Sequence, residues 1–206
     1  MEIQYYGGNC LTISYKSTRL VIDDYLSDFG AKSILKETDV AIFTEDPNTL
    51  TKSYRLVLNG PGEYEIGEIS IIGIATKSFI DQDKEVTMYK FTTPEASVLV
   101  TGRVLGDFND QQIEKIGIID SLIVPLGNNG YCMDPIGGLK LLKEIDPSIF
   151  IPTFYKSKTL KYPVETIALE EIVSELGMEI KEKTNKLKLK KNEMSDITSL
   201  VVLEQS

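Results

Sequence analysis

Apolar and polar positions along the chain divide it into two unlike halves. The first half is written in short runs. "EIQYYG", "LTISY" and "RLVIDDYL" are apolar or alternating, and they are broken by Gly7-Gly8-Asn9 and by Lys16-Ser17-Thr18. Those breaks are turn chemistry, so the chain is predicted to open as antiparallel hairpins. Val40 to Phe43 reads as a short buried strand that delivers the chain onto the polar loop Thr44-Glu45-Asp46-Pro47-Asn48-Thr49. "RLVLN", "EISIIGIAT", "VTMYKFTT" and "ASVLVTG" follow, each β-branched and bounded by Gly, Pro, Asp or Asn.

Helical spacing enters in the second half. "NDQQIEKIG" has Asn109 or Asp110 as N-cap and Gly117 as its stop, and "DSLIVPLG" is a buried strand. "MDPIGGLKLLKEIDP" offers Asp134 as N-cap and Pro135 as first helical residue, and must stop before Pro147. Its Leu139, Leu142 and Ile145 are spaced for one face. "SIFIP" is another strand. A last helix carries Leu169, Ile172, Val173 and Leu176 at i, i+3, i+4 and i+7, closed by Gly177. Two strands end the chain: the lysine-faced stretch Lys181 to Lys191, and "TSLVVLE". No repeat, low-complexity segment or linker divides this pattern, so residues 1–206 are expected to be one β-rich domain with helices outside.

Composition narrows the function classes. The net charge of -9 argues against a dedicated nucleic-acid binder, whose contact face needs a Lys/Arg excess. The one basic run alternates Leu187 and Leu189 with Lys186, Lys188 and Lys190, the pattern of a solvated lysine face on an edge strand. Cys10 and Cys132, far apart and in no C-x-x-C spacing, form neither a disulfide framework nor a cysteine zinc site. "MEIQYYGGNC" lacks a basic start and an apolar h-region, and no apolar run approaches a membrane span. A soluble protein of a reducing cytoplasm is expected, with no nucleic-acid or membrane partner and its oligomeric state open. There is no histidine in the chain.

Three segments, in order, resemble one family. "LNGPGEYEIGEISIIGIAT", "NDQQIEKIGIIDSLIVPLGNNGYCMDP" and "PSIFIPTFYK" look like successive landmarks of the metallo-β-lactamase fold. The likeness is to its stand-alone bacterial Zn-dependent hydrolase-like members, related to the lactonase type, and covers nearly the whole chain. It implies an α/β (α+β) fold, a four-layer αββα sandwich, with a metal site at one edge between two β-sheets. Carried across residue by residue, the family's H-x-H-x-D-H loop falls on Glu45, Pro47, Thr49 and Leu50. The histidine after the next long strand falls near Ser78, beside Lys77. The bridging aspartate of the family's Gly-Asp falls on Arg103, after Gly102. The histidine of Pro-Met-His-Tyr falls on Phe154, before Tyr155, and that of Gly-His-Ser on Gly8. Asp23 matches an aspartate that the family keeps, with Asp24 beside it.

Such sites hold a divalent metal through neutral imidazoles and carboxylates, and the metal lowers the pKa of a bound water to about 7. Proline has no ligand atom, leucine and phenylalanine are apolar, and arginine brings a permanent positive charge. The expectation is therefore no metal ligand, no catalytic residue and no cofactor: a degenerate hydrolase homologue that binds a small molecule or a protein. The alternative is a hydrolase whose metal is absent, or is Mg or Mn held by carboxylates such as Asp23, Asp24, Glu45 and Asp46. Weaker candidates are Cys10 or Cys132 as nucleophile without a histidine base, and Ser78 with Lys77. The glycines of "NGPGEYEIG" and "GNNGYCMDPIGG" lack phosphate-loop spacing and read as turns, and Glu63-Tyr64-Glu65 as packing residues. Two structural expectations follow: Phe154 fills part of the cleft, and Arg103 pairs with at least one of Asp23, Asp24, Glu45 or Asp46.

Overall fold

The computed structural model describes residues 1–47, 54–127 and 130–206. It opens with an antiparallel meander of β1 (Glu2–Gly7), β2 (Cys10–Tyr15) and β3 (Thr18–Ile22). The first turn requires the positive φ of Gly7 and Gly8, and a Cβ on Gly8 would come within 2.8 Å of the Phe29 ring. β4 (Val40–Ile42) and β5 (Leu56–Leu58) then run parallel to β3. β6 (Gly62–Ile66), β7 (Ile69–Lys77), β8 (Glu85–Thr92) and β9 (Ser97–Val100) make an antiparallel ladder.

Helix and strand alternate after β9. α1 (Asp110–Ile116) starts in a capping box, with the Asn109 side chain accepting from the Gln112 N–H and the Gln112 side chain accepting from the Asn109 N–H. It leads to β10 (Ser121–Pro125), parallel to β9. α2 (Pro135–Ile145) has Asp134 as its N-cap and Pro135 in its first turn, and leads to β11 (Ile149–Thr153), parallel to β10. α3 (Leu169–Leu176), β12 (Ile180–Thr184), β13 (Leu187–Lys188) and β14 (Ser199–Leu203) complete the chain, with β14 parallel to both β11 and β12.

Among the described residues the strands form two mixed sheets. One runs β13-β1-β2-β3-β4-β5, the other β12-β14-β11-β10-β9-β8-β7-β6. Alternation decides which side chains meet between them. Ile3, Ile13, Leu20 and Ile22 from the first sheet pack with Ile69, Phe91, Val98 and Ile123 from the second, all fully buried. Each such side chain stabilises the fold by about 1.5–3 kcal/mol. The opposite face of the second sheet buries Leu99, Leu122 and Phe150 against Ile116, Leu141 and Ile172 of the three helices. On the other side, a 3-10 turn at Leu26–Phe29 packs Leu26 and Phe29 with Cys10 of β2.

Two details differ from the sequence reading. The lysine-rich stretch is not one strand: β12 and β13 pair into different sheets, as edge strands of each, with Thr184 and Lys186 hydrogen-bonded in the turn between them. Its alternation still holds over the second piece, where Leu187 and Leu189 are buried and Lys186, Lys188 and Lys190 are exposed. α2 is also rotated relative to the expected face. It buries Gly138, Leu141 and Leu142, leaving Leu139 and Ile145 half-buried, because Gly138 lies directly on Leu126. The topology puts the carboxyl ends of β3 and β4 opposite those of β9, β10 and β11, the position where parallel strands form a ligand crevice.

Candidate functional site

β3 ends at Ile22, and the next residue, Asp23, turns the chain with φ 49°, an uncommon conformation for a side chain to hold. Its carboxylate, 2% exposed, is fixed by three donors at 2.7 Å: the Thr44 N–H, the Thr44 hydroxyl and the Asn9 side-chain amide. Asn9 in turn accepts from the Thr153 hydroxyl at 2.8 Å, and the Thr44 carbonyl accepts from the Thr87 N–H at 2.8 Å. The ends of β3 and β4 are thereby tied to β8 and β11 of the opposing sheet. Burial pushes the Asp23 carboxyl up to about 6; the hydrogen bonds from Thr44 and Asn9 oppose that shift and the nearby Glu45 charge adds to it.

After β9 the chain passes close over Thr44, where only glycine fits: Gly102 has φ 65°, and a Cβ there would sit 2.4 Å from the Thr44 hydroxyl oxygen. Arg103 follows. Its Nε donates to Glu45 Oε1 at 2.7 Å and its Nη2 to Glu45 Oε2, a bidentate pair with both side chains about one-fifth exposed (20% and 21%). The guanidinium carbon lies 4.2 Å from the centroid of the Tyr131 ring. Tyr131 stacks on Phe154 at 5.3 Å, and Phe154 packs on Tyr162 at 4.7 Å and Phe29 at 6.3 Å. An ion pair thus continues into a line of aromatic rings.

These groups surround a cleft of about 480 Å³. Asp23, Asp24, Glu45, Pro47, Arg103 and Phe154 all line it, as does Asp46. Asp24 is spent on the loop beside it: one oxygen accepts from the Ser33 hydroxyl and from the Ile34 and Leu35 N–H groups at 2.7–3.0 Å. Ser78 is not brought to the cleft. It is buried beyond the end of β7, where its hydroxyl accepts from the Ile80 N–H at 3.2 Å and so holds a turn. Thr49 and Leu50 lie outside the described residues. Phe154 is 3% exposed and fills the cleft wall, and Arg103 does pair with a carboxylate. Sequence reasoning missed Asn9, Tyr131 and Tyr162. The available signal for Tyr131 was its position in the loop that follows a parallel strand.

The chain belongs to the beta-lactamase superfamily domain family, whose model matches residues 2–154. No curated protein matches it in sequence. Among solved structures it is similar to a candidate Zn-dependent hydrolase of the metallo-β-lactamase superfamily from Thermotoga maritima, at 23% identity and TM-score 0.78 over 98% of each chain. It is also similar to a metal-dependent hydrolase candidate from Parabacteroides distasonis, at 14% identity and TM-score 0.65 over 99% of this chain and 93% of that one. The metallo-β-lactamase fold protein YhfI from Bacillus subtilis aligns at 12% identity and TM-score 0.59, over 100% of this chain and 97% of its own. Likenesses at these identities show the fold, the metallo-β-lactamase sandwich. No helix among the described residues is long and apolar enough to cross a membrane.

Among the described residues, the side chains that line the cleft do not fit the divalent metal that this fold family implies. Glu45 has both oxygens on Arg103, Asp23 already accepts from three protein donors, and Asp24 faces its own loop. A cation placed among them would meet the fixed charge of Arg103 and the apolar ring of Phe154. Among the described residues no group of three or more His, Cys, Asp or Glu could hold a metal ion. The thiols are no better suited to nucleophilic work. Both are buried, and burial pushes Cys10 well up and Cys132 up to about 12, so neither presents a thiolate near neutral pH.

Asp23 makes a prediction about pH. Its carboxyl titrates near 6 when folded, against about 3.9 in an unfolded chain, so between those values the folded state binds the extra proton. Its contribution to stability is therefore full at low pH and is lost as pH rises through about 6. Over pH 4 to 7 that contribution falls by about 2 kcal/mol. Asp23→Asn can keep the hydrogen-bond geometry without ionising, if the Asn9 amide flips and the Thr44 and Thr153 hydroxyls turn to accept. Urea denaturation across this range should show the wild type losing stability relative to Asp23→Asn as pH rises; parallel profiles for the two proteins would refute the assignment.

Proposed function

We propose that this protein is a non-catalytic member of its superfamily, a hydrolase scaffold that binds a small molecule in the cleft between its sheets. The observation that carries this reading is the Arg103–Glu45 pair. On the resemblance stated above, Arg103 stands where relatives have the bridging aspartate and Glu45 where they have the first loop histidine. A permanent guanidinium clamped by that glutamate takes up the charge that a metal would otherwise balance, and it activates no water. Glu45, Pro47, Thr49, Leu50, Ser78, Arg103 and Phe154 are read as degenerate ligand positions. Asp23 is read as the retained structural aspartate and Asp24 as its loop-ordering neighbour. Residues 1–206 act as one unit, in the cytoplasm.

A bound partner can be a ligand without being a substrate, and the cleft supports this: its lining combines packed aromatic rings with polar and charged groups. The test is metal analysis of the purified chain, together with ester, lactone and phosphodiester substrates assayed with and without added Zn, Mn or Mg. The expected result is less than a tenth of an equivalent of transition metal, no turnover above buffer, and no change in melting temperature with chelator. One equivalent of tightly held zinc, or turnover dependent on Mn or Mg, would sink the reading; the second result would favour a carboxylate-ligated hydrolase.

A further inference from the structure

We propose that the cleft takes a small organic cation, an ammonium group carried on an apolar or aromatic body. The inference rests on the binding-protein reading above and names its ligand class. Charge is the first observation. Among the described lining residues, Asp23, Asp24, Asp28, Glu45 and Asp46 are acidic and Arg103 is the one cationic side chain. Arg103 is already matched by Glu45, so among the described residues the remaining carboxylates give the cleft a net negative field. Asp28 and Asp46 are exposed, and the Asp46 carboxylate accepts from the Asn59 side-chain amide at 3.1 Å. An anionic ligand entering here is repelled by these carboxylates.

The second observation is the aromatic surface. Tyr25, Tyr54 and Tyr131, all half-buried, line the same cleft, with the buried rings of Phe29, Phe43 and Phe154 packed behind them. The structure holds one example of what such faces accept, the Arg103 guanidinium at 4.2 Å from the Tyr131 ring centroid. Aromatic rings attract cations through their quadrupole, and they attract a weakly hydrated alkylammonium more readily than a small hydrated metal ion. A volume of about 480 Å³ lies in the range that encloses a small organic molecule. Negative field and aromatic faces together select against both the anionic and the neutral version of one molecule. Neither feature does so alone.

The experiment is isothermal titration of the full chain, at low ionic strength, with three probes of similar body: benzyltrimethylammonium, benzyl alcohol and phenylacetate. Benzyltrimethylammonium should bind at least about tenfold more tightly than the other two. Its affinity should fall as salt is added. The Asp28→Asn/Asp46→Asn double variant changes two exposed side chains and should leave the melting temperature intact. It should weaken the cation about threefold for each charge removed and leave benzyl alcohol unchanged. The proposal is overturned by phenylacetate binding as well as the cation, by cation affinity that ignores both salt and the double variant, or by no binding of any probe. None of these results produces metal or turnover, so the ligand class can fail while the non-catalytic reading stands.

Discussion

Truncating Phe154 to alanine should lower the free energy of unfolding by about 3–5 kcal/mol, the cost of deleting a buried aromatic ring. The side chain is 3% exposed and contacts three other rings, Phe29, Tyr131 and Tyr162, so its loss opens a cavity that rigid neighbours cannot close. For a chain of this size that is a fall of about 10 °C in melting temperature. The backbone adds a second, sharper expectation. Phe154 has φ 66°, a left-handed conformation rare for a bulky residue, and is pinned there by its N–H donating to the Gly8 carbonyl at 2.9 Å. Alanine keeps that strain, whereas glycine removes it. At an ordinary position glycine is less stable than alanine by about 0.5–1 kcal/mol. Here Phe154→Gly should be at least as stable as Phe154→Ala in urea denaturation. A glycine variant that is clearly the weaker would mean the ring, and not the backbone, dictates the turn.

How much of this was legible depended on whether the interaction was local. β1 to β3 were readable because β-branched runs and Gly7-Gly8-Asn9 encode both strands and turn within a few residues. α1 and α2 were readable to their caps for the same reason. β6 was not read as a strand of its own. Glu63 and Glu65 interrupt its apolar pattern, and they are exposed because β6 is an edge strand paired only with β7. The division of the lysine run between two sheets was hidden too, since alternation gives a strand its two faces but does not name its partner.

The site shows the same limit. The order of family-like segments brought Asp23, Glu45, Arg103 and Phe154 into view because each lies within three residues of a strand end. Asn9, Tyr131 and Tyr162 reach the same place from a hairpin turn, a loop after β10 and the segment between β11 and α3. No local pattern marks them, and their convergence is a product of the whole topology. Ser78 shows the converse: a position transferred by resemblance stays near the site in sequence order, but its hydroxyl serves a turn.

Arg103 joins these two kinds of information, and its removal should be the other large effect. Arg103→Ala deletes two charge-assisted hydrogen bonds to Glu45 and the packing on Tyr131, and leaves the Glu45 carboxylate in a cleft that already holds Asp23. Breaking a fully buried pair costs about 3–5 kcal/mol; with both side chains about one-fifth exposed, about 3 kcal/mol is expected. Lysine should recover only part of this, because a point charge cannot bridge both carboxylate oxygens at once or stack flat on a ring. The double change Arg103→Met/Glu45→Leu should recover most of it, since an apolar pair of similar volume avoids stranding a charge. A cycle of Arg103→Met, Glu45→Leu and their double variant then separates two accounts of the site. If the ion pair holds the loop after β4 against the loop after β9, the single losses will be strongly non-additive, with a coupling of about 1.5 kcal/mol or more. If the two losses simply add, each side chain packs independently, and the Arg103–Glu45 clamp does not exist as a unit.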